Sequence, residues 1–176
     1  MVGQRPSPVD YGFRGRLNWA ISGALSGIAG AMAFGAFLGL IYPNVISLTI
    51  PSLYGLEAMR EMGWALHMLH GLVLGIIFGF VVTRKPVLRT LIMNPEPRHF
   101  EQQGPTVRLT VVGMCYGSLV WLCIPLVALP IWVSLSGSAD PDFPAATVES
   151  LAGHLIFGGM LGFIFANSIN ISASGE

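Results

Sequence analysis

Four stretches of this chain stay apolar for long enough to cross a bilayer as helices, and that removes most folds from consideration. They run from Leu17 to Tyr42, Met62 to Thr83, Leu109 to Val133 and Thr147 to Ile169. Each is at or above the ~20 residues that span a hydrocarbon core about 30 Å thick. Backbone groups in lipid find no water, so only helices and closed barrels satisfy them. These runs are continuously apolar rather than alternating, which points to helices. Only 10% of the 176 residues are charged, against roughly 25% in an ordinary soluble domain. The first stretch exceeds the about 7 to 15 apolar residues of a signal peptide and reads as a retained helix.

Basic residues set the expected orientation, because short loops rich in Lys and Arg stay in the cytoplasm. Arg5, Arg14 and Arg16 precede the first span, and Arg84, Lys85, Arg89, Arg98 and Arg108 lie between the second and third. The two loops on the other side hold only Arg60, with Glu57, Glu61, Asp140, Asp142 and Glu149. Both termini are therefore expected inside, in the cytoplasmic membrane. The chain divides into a cytoplasmic segment (1–16), a first transmembrane hairpin (17–83), a cytoplasmic loop (84–108), a second hairpin (109–170) and a cytoplasmic tail (171–176). The formal net charge of zero hides this asymmetry and gives no reason to expect nucleic acid as a partner; the lipid bilayer is the first partner.

The loops say less. Ser52, after Pro51, is expected to cap a helical extension of the second span. Ser134 to Ala146 reads as a turn-rich connection in which Pro144 suits the first turn of the fourth helix. Within the inner loop, "VLRTLIM" suits a headgroup-lying or a solvated segment equally, and "NPEPRHFEQQGP", which holds His99, is too polar to pack.

A shift of 87 residues relates the two halves. It places Gly30 on Gly117, Pro43 on Pro130, Ser47 and Leu48 on Ser134 and Leu135, His67 on His154, Gly71 on Gly158, Gly75 on Gly162 and Phe78 on Phe165. The expected fold is all-α, an integral membrane four-helix bundle built from two parallel-repeat helical hairpins. In the second and fourth helices the shared positions fall at i, i+4, i+7, i+8 and i+11, one helical face. Gly71 with Gly75 and Gly158 with Gly162 form small-xxx-small pairs that permit close helix packing, and the face is expected to look toward its own copy. Gly23 with Gly27, Gly35 with Gly39 and Gly113 with Gly117 extend the pattern to the first and third helices.

The run "LAGHLIFGGMLGFIFA" and its earlier copy resemble the His-x-x-x-Gly-x-x-Leu-Gly-x-x-Phe helix of small YagU-like multi-pass inner-membrane proteins. The resemblance covers about a quarter of the chain. It implies a compact membrane protein with no established catalytic activity, and it supplies no catalytic residues.

His67, His70 and His154 are the polar groups that most need a reason, since burying an unpaired imidazole in lipid is costly. One reading has each ring bond a group on a neighbouring helix and fix packing. A second has His67 and His154 ligate a b-type haem from opposite sides, with His70 a possible neighbour; facing helices of a bundle are a known setting for axial ligands. A third uses protonation, with Glu61 and Glu149 six and five residues before His67 and His154; both acids also suit helix N-termini, where the dipole favours negative charge. Cys115 and Cys123 are too far apart on one helix to pair and read as small core residues. Trp19, Trp64 and Trp132 read as interface anchors and Trp121 as packing. No metal-ligand cluster, phosphate loop or nucleophile motif is present, so no catalytic role is expected. The sequence points to a non-catalytic multi-pass protein, either a homo-oligomer or a small subunit among other membrane subunits. The alternatives are a haem electron carrier and a small channel or transporter.

Overall fold

The computed structural model describes residues 9–11, 17–88, 91, 103–136 and 147–171. Helix α1 (Asn18–Ile41) is followed by a π-helical turn, Val45–Thr49, and a short α2 (Ile50–Ser52); α3 (Arg60–Val82) and a one-turn α4 (Lys85–Leu88) come next. Helix α5 (Pro105–Cys123) runs through a second π-helical turn, Ile124–Ala128, into α6 (Leu129–Ser136), and α7 (Val148–Ser168) completes the helices. Four helices are long and apolar enough to cross a membrane: Asn18–Ile41, Arg60–Val82, Pro105–Leu135 and Val148–Ser168. The described residues are almost entirely helical, as expected. Two three-residue strands, β1 (Val9–Tyr11) and β2 (Ile169–Ile171), pair antiparallel, which brings the segment before α1 and the end of α7 to the same side.

Helix ends follow local chemistry. Pro43 disfavours helical backbone at the residue before it, and Tyr42 has φ −131° and ψ 74° while its N–H still bonds the Leu38 carbonyl. Pro105 opens α5, where its missing N–H costs nothing. Pro125 and Pro130 sit inside the long α5–α6 helix, and the π-helical turn around Pro125 absorbs the ring's clash with the preceding turn. Thr147 caps α7 by accepting the Ser150 N–H at 3.3 Å. At the end of α3, Arg84 donates to the Phe80 carbonyl at 3.1 Å and lies 3.5 Å above the Phe80 ring, where the helix dipole favours a cation.

Glycine decides which helices touch. A Cβ placed at Gly75 would overlap the Gly23 carbonyl oxygen and fall 2.7 Å from Gly27 Cα, and one at Gly71 would fall 2.6 Å from the Gly27 oxygen. The same holds where α5 meets α7: a Cβ at Gly158 would overlap the Gly113 oxygen, and one at Gly162 the Leu109 oxygen. Both contacts are antiparallel and bring backbone to backbone without a side chain between, the packing that small residues permit in lipid. Helix α1 also runs along α7, with Gly30 against the Phe157 carbonyl. Helices α3 and α5 meet through side chains, Tyr116 donating to the Leu74 carbonyl at 2.8 Å and setting its ring, tilted, 5.3 Å from that of Phe78. The central core is Phe34, Phe78, Leu109, Phe157, Leu161 and Phe165, all buried.

Several expectations change. The glycine faces of α3 and α7 do not look at each other; each is taken up by the preceding helix of its own hairpin, because only there do backbones come close enough to need them. Gly39 has nothing within 4 Å of a built Cβ, and Gly35 meets Trp64 instead of a helix backbone. Cys115 and Cys123 are exposed, off the line of Leu109, Gly113 and Gly117 by which α5 packs on α7. Ser52 caps nothing: it belongs to the segment before α3, whose first residue is Arg60. Between α3 and α5, Leu88 and Leu91 pack against the core, and buried Arg108, already inside α5, donates to the Leu91 carbonyl at 3.2 Å. Residues 134–136, expected in the connection to the fourth helix, belong to α6; Pro144 and His99 lie outside the described residues.

Candidate functional site: a histidine pair across Phe34

His67 on α3 and His154 on α7 come together around one side chain of α1. The Phe34 ring lies 5.6 Å from the His67 ring and 4.7 Å from the His154 ring, centre to centre. Phe34 reaches this position because α7 carries Gly153 there: a Cβ would meet the Phe34 ring, with Cδ2 2.5 Å away. Trp64, edge-on to His67 at 6.1 Å, closes the cluster on the far side.

Each imidazole is tied to a backbone carbonyl. His67 Nε2 lies 3.0 Å from the Ala31 oxygen, and His154 Nδ1 lies 2.7 Å from the Ser150 oxygen one turn earlier on its own helix. A carbonyl only accepts, so both of these nitrogens carry the proton. In neutral rings the tautomers are then opposite: His67 is protonated on Nε2 and His154 on Nδ1. The bond from His67 to Ala31 fastens α3 to α1 in the middle of their seam; the bond in α7 fastens a ring to its own helix.

The geometry does not fit a haem between these residues. Bis-histidine ligation needs the two ligating nitrogens about 4 Å apart across an iron, with the flat macrocycle between the rings. Phe34 fills that position, and Gly153, which would make room for a cofactor, is filled by the same ring. Nor do the described residues contain a group of three or more His, Cys, Asp or Glu able to hold a metal ion.

His70 stands apart. Its Nε2 lies 2.5 Å from Tyr54 Oη, with the two rings stacked 5.8 Å apart, and Trp132 on α6 donates to the neighbouring Leu53 carbonyl at 2.7 Å. Burial pushes the Tyr54 hydroxyl above its ordinary range, so it stays a neutral donor. His70 thus anchors the segment between α2 and α3 and belongs to no pair. Glu61 and Glu149 occupy the first turns of α3 and α7, where the helix dipole accounts for them.

A polar stripe on α1 escapes the sequence reasoning above. Asn18, Ser22 and Ser26 are all buried at one-turn spacing. Ser26 donates to the Ser22 carbonyl at 2.6 Å, while Asn18 Oδ1 and Ser22 Oγ have no partner among the described residues. The signal was legible as an i, i+4, i+8 polar series inside an apolar run. Between this stripe and the histidines the core is Phe157, Leu161, Phe165 and Phe78, which offers no polar relay from one to the other.

No family model, no curated protein and no solved structure matches this chain.

Proposed function

We propose that this protein is a non-catalytic component of a membrane assembly, either self-associating or a small subunit, and that its third span is the surface it offers to a neighbour. One observation favours this most. Only 11% of the apolar window in Pro105–Leu135 is buried within the chain, against 33 to 39% for the other three spans. At 31 residues that helix is about 46 Å long, well beyond a hydrocarbon core of about 30 Å. Among the described residues reactive side chains are few, and His67, His70 and His154 are engaged with carbonyls or Tyr54.

The exposed Cys115 and Cys123 lie on this span and make a test possible without mutation. A membrane-permeant bifunctional maleimide applied to native membranes is expected to give a discrete adduct, at twice the chain's mass for self-association or at another fixed mass for a different subunit. A monomer that forms no adduct, and that stays monomeric in mild detergent, would sink the proposal.

Two further features belong to the same proposal. The fold is two parallel-repeat hairpins: an 87-residue shift carries the Gly27–Gly71 contact onto positions 114 and 158, one residue from the Gly113–Gly158 contact. Both termini face the cytoplasm, supported by the eight basic residues on that side against Arg60 alone on the other. In intact cells, cysteines placed at Gly55 and Asp140 are expected to react with an impermeant reagent, and one at Gln102 only after permeabilisation. Labelling of position 102 from outside would overturn the orientation.

A further inference from the structure

The two halves of the chain treat one segment in opposite ways. After α1, the residues Val45–Ser52 fold back against α3, with Val45, Ile46, Ile50 and Pro51 buried. The Ile46 carbonyl rests where a side chain at Gly63 would be, and a built Cβ there would overlap it. Ile46 also reaches toward α1, its Cδ1 3.1 Å from a Cβ built at Gly35, beside the Trp64 ring. Behind Trp64 comes His67, then Phe34 and His154. The segment therefore covers one end of the histidine cluster.

In the second half residues 132–136, at the positions of 45–49, do not fold back. Pro130, at the position of Pro43, is passed without a break, and α6 continues as a helix whose Ile131, Trp132 and Leu135 are exposed, Leu135 at 81%. The position of Gly63 is taken by Ser150. Ser150 is itself fully buried, and by the repeat its Cβ stands at the position that the Ile46 carbonyl takes up against Gly63 in the first half. The histidines differ in the same sense: His67 is buried and His154 half-buried.

We propose that Val45–Ser52 is a lid over the His67 end of the core, docked in the notch left by Gly63, and that α6 is the equivalent segment held open by Ser150. The comparison with α6 rests on the repeat proposed above; the docking at Gly63 does not. Restoring a side chain at Gly63 displaces the lid from its notch, because the obstacle is a backbone carbonyl that cannot rotate aside, while its far end stays tied through Leu53 to Trp132 and through Tyr54 to His70. Its release uncovers Trp64 and, behind it, His67.

Spin-label distances test this in the full chain with Cys115 and Cys123 replaced by Ser. Nitroxides at Leu48 and Leu69 report the first segment against α3, and nitroxides at Leu135 and Ile156 report the equivalent positions of the second half; all four side chains are exposed. The first pair is expected to be close and the second distant. Gly63→Ser should lengthen the Leu48–Leu69 distance by on the order of 10 Å, about two helical turns, while a control pair at Leu25 and Ile77 across the α1–α3 seam stays unchanged. An unaltered Leu48–Leu69 distance overturns the proposal. A control pair that separates as well overturns it too, since the segment would then be a support of the whole helix pair. If the first pair opens as expected but Leu135 and Ile156 are close already, the lid stands and the equivalence of the two halves falls.

Discussion

A Gly162→Leu variant is expected to lose about 3 kcal/mol of stability, the upper end of the usual range for overpacking, or about 6 to 12 °C in Tm for a chain of this size. Overpacking is often relieved by a neighbouring side chain turning away. Here the neighbours are backbone: a built Cβ already overlaps the Leu109 carbonyl oxygen and lies 3.1 Å from Thr110 Cα. The only relief is to move α5 off α7, which breaks the contact along its length. Gly75→Leu should do the same to α1 and α3, where Gly23 and Gly27 are the obstacles. Gly39→Leu is the control, with open space around it, and should leave thermal unfolding in detergent unchanged. If Gly162→Leu and Gly39→Leu melt together, the close seams described above are not what holds these helices.

Truncating Phe34 to Ala is expected to cost about 2 kcal/mol. In water such a change loses both transfer free energy and packing. In a bilayer the separated helices are still in hydrocarbon, so the transfer contribution largely vanishes. What remains is the cavity, at about 24 cal/mol per Å³, and a lost ring leaves a void on the order of 100 Å³. The void would open between His67, His154 and Gly153. Because its walls include aromatic surface, benzene should partly restore the lost Tm, as it does not in the unmodified chain. A variant as stable as the parent would mean that Phe34 does not fill the space between the two rings.

How far the sequence carried depended on whether a feature is set along one helix or between helices. The four spans were legible because lipid leaves a long apolar run one way to satisfy its backbone. Their observed ends differ from the expected ones by a few residues at most, except in the third span, where α5 begins at Pro105. Gly71 with Gly75 and Gly158 with Gly162 could be picked out as packing positions for the same local reason, though Gly35 with Gly39 could not, and the acids at the starts of α3 and α7 as dipole partners. Cys115 and Cys123 were misjudged because apolar character in a membrane chain does not separate core from lipid.

By itself the sequence determined that this protein is built of four membrane-length helices and that His67, His70 and His154 would need partners. The tertiary structure alone decided who those partners are. Gly71 and Gly75 turn to α1 rather than to α7 because close approach requires small residues on both sides, and α1 supplies Gly23 and Gly27. His67 bonds Ala31 across the seam while His154 bonds Ser150 in its own helix, a difference that no spacing within either helix encodes. Phe34 fills the gap between the rings because Gly153, on another helix, leaves room for it.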